Sequence, residues 1–230
     1  MQPARFPLLA LAGAALLLCG GATRTVSWNS AISSGPQGSH VIGNPAAKLR
    51  VTIWSSYTSS ESARFAVESE GPLRLGMISS GKVAIEVRHL VRSPVDLTVA
   101  MLAECGAAAG FFLRHTGFLR RQLRWIAPLA KASGAQQQRW RYGTLAQRNR
   151  AIARDFRFYD LMEGMGVDRA VTDRCLTDPR AAQRITAQSD AALAAGLDKP
   201  PTFALNGAVQ EGVSTWPQLN ATIDKSLQKP

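Results

Sequence analysis

The sequence predicts an α/β domain, and three observations carry that prediction. Leu49 to Phe65 reads as a buried strand running directly into a helix, and a second strand follows at Val83 to Val91, which together make a parallel βαβ unit. A long stretch from about residue 94 to 197 then carries helical patterns. Beyond it, Thr202 to Leu205 and Ala208 to Val213 flank Asn206-Gly207, a strong two-residue hairpin signal, ahead of one last amphipathic helix.

The elements follow in order. Residues 1–22 read as a signal peptide: Arg5 begins it, Leu8 to Leu18 is apolar, and Gly20-Gly21-Ala22 offers a small-residue cleavage site. The apolar run is too short to span a membrane, so the mature protein is expected in the periplasm without a transmembrane span. Lipidation at Cys19 is the minority alternative, because Leu18 departs from the small residue such a site wants. Residues 23–39, rich in Ser, Gly and Asn, are expected as a flexible leader, and His40 to Pro45 as the turn into the domain, which covers 40–230. In the first strand Leu49, Val51 and Ile53 alternate with Arg50 and Thr52; Thr58 and Glu61 then form a capping box for a helix over 59–78, bent at Gly71-Pro72. In the second strand Val83, Ile85 and Val87 alternate with Ala84, Glu86 and Arg88. Helices are expected over Leu97–Ala109, Phe111–Ala130, Tyr142–Met165, Asp168–Cys175 and Pro179–Leu197, with residues 131–139 as a connection. Ile152, Phe156, Tyr159 and Met162 form a one-faced stripe, and Leu219, Ile223 and Leu227 align on the last helix. No internal repeat is present.

Composition narrows the function. The formal net charge is +11, and between Arg114 and Arg157 ten arginines and Lys131 face one acid, Asp155. A solvated helical face explains that run most simply; the functional reading is a surface for acidic partners or anionic lipid. No nucleic-acid-binding motif is present, and export removes the chain from most nucleic acid. After signal removal two cysteines remain, Cys105 and Cys175, and an exported protein usually bridges such a pair. His40, His89 and His115 are scattered without ligand spacing, so neither a metal nor any other cofactor is called for. No base is paired with Ser59 and no nucleophile elbow occurs, which argues against a serine hydrolase.

A family resemblance adds to this reading. Gly43-Asn44-Pro45, the strand, Ser56-Tyr57-Thr58, a four-residue motif and Ala63-Arg64-Phe65 resemble the start of DsbA-like thioredoxin-fold disulfide oxidoreductases. Pro201-Thr202-Phe203 and Asn206-Gly207 match further pieces, Cys105 and Cys175 resemble an accessory pair of some members, and the likeness covers residues 40 to 228. It implies a thioredoxin-like fold with a helical insertion at about 94–197. The family motif is Cys-x-x-Cys, in which a thiolate at a helix N-terminus attacks a disulfide and the second cysteine resolves it. Here the motif reads Ser59-Ser60-Glu61-Ser62, a degenerate site, because an alcohol forms no disulfide. The resemblance makes Pro201 a cis-proline, with Tyr57, Pro200, Pro201 and Thr202 around a substrate groove; Pro200 lacks the amide proton that such a groove offers. The expected function is therefore a DsbA-family protein without dithiol activity, binding unfolded or extended polypeptides in the envelope as a chaperone-like module. The alternative is a thiol-disulfide oxidoreductase using Cys105 and Cys175. A third reading is an envelope protein held by its basic face.

Overall fold

The computed structural model describes residues 27–228; the expected signal peptide and Cys19 lie outside them. Its strands are β1 (Ile32–Ser34), β2 (His40–Gly43), β3 (Leu49–Ser55), β4 (Val83–His89), β5 (Thr202–Leu205) and β6 (Ala208–Val209), in one sheet ordered β1-β2-β4-β3-β5-β6. β3 and β4 run parallel, with Val51 beside Ile85, and the other pairings are antiparallel. The hairpin turns at Asn206 and Gly207, both at positive φ (48° and 86°), the conformation that Asn-Gly favours. β6 stops at Val209, well short of the Val213 read from the sequence.

Between β3 and β4 lies α1 (Ser60–Pro72), which continues as a π-helical turn over Leu73–Ile78 beside the proline that lacks an amide proton. The insertion comprises α2 (Pro94–Ala103), α3 (Phe111–Arg120), α4 (Gln122–Trp125), α5 (Ala127–Lys131), α6 (Gly134–Arg141), α7 (Leu145–Asp155), α8 (Phe158–Glu163), α9 (Arg169–Leu176) and α10 (Pro179–Ala194). α11 (Trp216–Gln228) ends the described chain.

The sheet is covered on both faces. Ile53, Phe65 of α1 and Phe203 of β5 share one core, with the Phe65 and Phe203 rings 4.8 Å apart and Trp216 of α11 packed beside Phe65. One residue further along each strand, Trp54 and Ala204 face the opposite side and meet Ala192 of α10. Because both faces are covered, β3 is buried along nearly its whole length, and its polar members Thr52 and Ser55 are enclosed together with Leu49, Val51 and Ile53.

Three expectations are corrected. The leader is folded from about Trp28 onward: β1 pairs with β2, Trp28 and Ile32 pack on the core, and the Asn29 side chain donates to the Arg74 carbonyl at 2.9 Å. Two apolar anchors among serines and glycines suffice to order it. Residues 131–139 are not a plain connection, because Ser133 and Gln136 form a reciprocal cap that starts α6. That helix buries Trp140 alone, so it lacks an apolar period to read. The helix expected over Tyr142–Met165 breaks at Arg157, which adopts φ 57°, yet the stripe of Ile152, Phe156, Tyr159 and Met162 is buried on both sides of the break.

Candidate functional site

β3 delivers residues 56–58 to the N-terminus of α1, where free amides and the positive end of the helix dipole meet. The cap is Ser59, not Thr58: Ser59 Oγ accepts from the Ser62 amide at 3.1 Å. The Thr58 hydroxyl donates instead to Asp96 at 3.2 Å. The peptide bond between Pro200 and Pro201 is cis, and the Pro200 carbonyl lies 3.0 Å from Ser59 Oγ. Glu61 Oε2 also lies 3.0 Å from that oxygen, so one hydroxyl proton serves two acceptors. Ser62 Oγ accepts from the Ser56 amide at 3.4 Å. Ser59 and Ser62 are both buried, whereas Ser60 and Glu61 face solvent. Hydrogen bonds from its own amide, Ser59 and Ser60 hold the Glu61 carboxyl below its ordinary range.

Two side chains outside the motif fix this geometry. Asp96, in the first turn of α2, accepts from the Ser56 hydroxyl, from the Tyr57 amide at 2.8 Å and from the Arg92 amide at 3.2 Å. Burial pushes its carboxyl upward against those bonds, which favour the charged form. Gln122, at the start of α4, donates to the Tyr57 and Ser59 carbonyls at 2.7 and 2.8 Å. Neither residue is conspicuous in the sequence. Asp96 looks like a first-turn helix acid after Ser93-Pro94, and Gln122 stands among arginines.

Of the expected groove residues, Pro200 meets Ser59 through its carbonyl, while Pro201 and Thr202 border an open cleft of about 610 Å³ with Leu197, Val209 and Gln210, to which residues 59–62 do not contribute. Tyr57 is corrected: it is fully buried and turns into the core, its hydroxyl 2.8 Å from His115 Nδ1. Burial, with Glu104 and Asp96 nearby, pushes that hydroxyl well above 10.

Behind Tyr57 all three histidines of the chain converge. His40 stacks on Phe111 at 3.6 Å between centroids, His115 on the same ring at 5.5 Å, and His89 meets it edge-on at 5.9 Å. Nε2 of His89 and of His40 lie 3.2 and 3.5 Å from Glu104 Oε1; the distances suit ion pairs, but neither ring is aligned for a hydrogen bond. Arg184 of α10 pairs with the other Glu104 oxygen. Burial opposes ionisation of Glu104, but His40, His89 and Arg184 overcome it and hold the carboxyl far below its ordinary range. His115 is driven down to about 3 by burial and by His89 and His40. Sequence spacing could not show this cluster, because its members come from β2, β4, the C-terminal cap of α2, α3 and α10. Among the described residues no three His, Cys, Asp or Glu side chains are placed to hold a metal ion.

Cys105 and Cys175 form a disulfide between the end of α2 and the last turn of α9. Both sulfurs thus sit near helix C-terminal ends, where the dipole disfavours a thiolate, and Cys105 is buried. The alternative that gives this pair the redox chemistry is corrected on that ground: the bridge is a cross-link between helices, separate from the α1 terminus.

A helix N-terminus facing a cis-proline at the end of a mixed sheet covered by helices is the arrangement of a thioredoxin-like fold. The chain belongs to the thioredoxin family, whose model, described as Thioredoxin, matches residues 36–225. It is similar to a solved protein-disulfide isomerase from Novosphingobium aromaticivorans, at 45% identity and a TM-score of 0.81 over 84% of this chain and 98% of that one. Two DsbA-like neighbours share the fold at 16% identity: alpha-DsbA1 of Wolbachia pipientis (TM-score 0.63, 84% of this chain and 92% of that one) and oxidised BdbD of Bacillus subtilis (TM-score 0.57, 87% and 100%). No curated protein matches the chain.

Proposed function

We propose that this chain is an exported DsbA-like protein in which Ser59-Ser60-Glu61-Ser62 stands where the family's dithiol stands, and that it binds extended polypeptide without exchanging disulfides. The observation that carries the reading is the hydrogen bond from Ser59 Oγ to the Pro200 carbonyl at 3.0 Å, which puts an alcohol at the capped helix terminus opposite the cis-proline. The 45%-identical neighbour is named a protein-disulfide isomerase; thiol–disulfide exchange starts from an attacking thiolate, which the family motif supplies as a Cys-x-x-Cys. The sequence has none, its three cysteines being Cys19, Cys105 and Cys175. The cleft beside Pro201 and Thr202 supplies apolar contacts from Leu197 and Val209 and polar ones from Gln210. Residue 200 itself offers a passing strand little: Pro200 has no amide proton, and its carbonyl is already engaged by Ser59. Binding in this cleft therefore rests on side-chain pockets on either side of that position more than on a continuous backbone ladder.

The test has two arms. The mature protein should fail to reduce insulin disulfides or to oxidise a dithiol peptide, and turnover at an oxidoreductase's rate would sink the reading. It should bind a labelled, reductively unfolded polypeptide, with affinity lowered by Thr202→Trp, a substitution that fills the cleft. Unchanged affinity in that variant would move binding elsewhere.

A further inference from the structure

From Cys105 to Arg154 the chain contains no Asp or Glu, yet it carries nine arginines and Lys131. Folding neutralises only part of that charge. Arg120 pairs with Glu70, Arg139 with Asp155 and Arg150 with Asp173, while Arg114 is buried on the Ala103 and Ala107 carbonyls. Arg121, Arg124 and Lys131 are exposed and make no ion pair among the described residues.

Those three cations lie on the corner made by the short helices α4 and α5. The corner has a sharp inside and outside. Gln122 and Trp125 turn inward, one to the carbonyls at the site and the other to the Phe118 carbonyl and the core. Leu123, between Gln122 and Arg124, is 86% exposed, and Leu129 of α5 is 39% exposed. Leu123 borders a cleft with Ala63, Val67 and Leu119 yet stays almost wholly exposed, so the fold gains little from it. Val67 of α1 is exposed on the same cleft, and Arg64 and Arg120, with one acid, Glu68, line it as well. That pattern suits a bilayer interface, where an apolar side chain enters the acyl boundary while arginine and lysine heads stay among anionic headgroups. Among the described residues no single helix is long and apolar enough to cross a membrane.

We propose that the α4–α5 corner, with Leu123 at its tip and Arg120, Arg121, Arg124 and Lys131 around it, docks on the anionic surface of a lipid bilayer. Gln122 ties the corner to the Tyr57 and Ser59 carbonyls, so docking holds the N-terminus of α1 close to the membrane. The inference does not depend on polypeptide binding in the cleft.

The experiment is flotation of the mature protein with phosphatidylcholine vesicles, with and without phosphatidylglycerol, across a salt series. Binding is expected only with phosphatidylglycerol, and rising salt should release it as the charges are screened. The double variant Arg121→Glu/Arg124→Glu should weaken binding by at least about tenfold, since each basic residue near such a surface contributes several-fold. Leu123→Gln should weaken it by about threefold or more through lost apolar insertion. Circular dichroism and the thermal midpoint should stay at wild-type values, because these side chains are exposed. Thr202→Trp should leave vesicle binding unchanged, which separates this surface from the cleft. No flotation at low salt, equal flotation with neutral vesicles, or indifference to both corner variants would overturn the proposal. So would corner-dependent capture of polyglutamate without vesicle binding, which would assign the surface to an acidic protein.

Discussion

Cys105 and Cys175 have sulfur but sit near helix C-terminal ends, whereas Ser59 and Ser62 occupy a helix N-terminus without sulfur. The first pair has the atom and the wrong field, the second the field and the wrong atom. The difference teaches that dithiol chemistry needs both together. A thiolate is stabilised by the free amides and positive dipole of a helix start, and a disulfide placed away from such a start serves as a cross-link. The surroundings of the serine pair are still elaborate: Asp96 and Gln122 hold the loop, and the cis-proline faces it.

The largest test of that contrast supplies the missing atoms. Ser59→Cys/Ser62→Cys should change insulin-disulfide reduction from none to measurable turnover, and the thiol at position 59 should titrate at least about one unit below the usual 8.5. A folded variant with an ordinary thiol and no turnover would show that the helix terminus alone does not make the site.

A second test addresses the layer beneath. His115 titrates at about 3 in the folded chain, so its native state binds fewer protons than the unfolded state, whose histidines titrate near 6.5. Stability should therefore fall as pH drops from about 6.5 toward 3, by at most about 1 kcal/mol per pH unit from this group. Glu104, held low, acts in the same sense: its contribution is present above the ordinary carboxylate range and is lost on acidification. Asp96, pushed up, has the opposite sign and partly offsets them just above its ordinary range. Urea midpoints from neutral to acidic pH should show the decline, and His115→Gln should flatten its upper part. An equal slope in that variant would remove His115 from the explanation.

The third test removes the cross-link. Cys105→Ser/Cys175→Ser opens a loop with a sequence separation of 70 residues. It should lower unfolding free energy by about 4 kcal/mol, read by urea denaturation, with polypeptide binding retained in the folded fraction. Loss of binding without loss of stability would mean that the bridge shapes the site. The smallest effect is expected from Gln122→Ala, which strips two buried carbonyls of their donor. It should destabilise by about 2 kcal/mol, and a neutral result would mean that water replaces the amide.

What the sequence revealed and what it hid follow from range. Alternation at Val83 to Val87, Asn206-Gly207 and the stripe from Ile152 to Met162 are local patterns, and each corresponds to structure. The cap shifted from Thr58 to Ser59 because both residues have the chemistry of a cap, and only the distant Asp96 decides which hydroxyl is free. Tyr57 read as groove wall because its neighbours are at the site, but a pocket of histidines gathered from β2, β4 and α3 takes its side chain inward. The folded stretch before β2 was hidden by its serine-rich composition, which gives Trp28 and Ile32 no period to belong to.

Glu104 joins more of the molecule than any residue of the motif. Its carboxylate meets β2 through His40, the end of β4 through His89 and α10 through Arg184, and the next residue is bridged to α9. Such a keystone removes the freedom of these segments to open one at a time. In native-state hydrogen exchange the amides around positions 40, 89, 104 and 184 should lose protection together, as one cooperative unit whose opening approaches global unfolding.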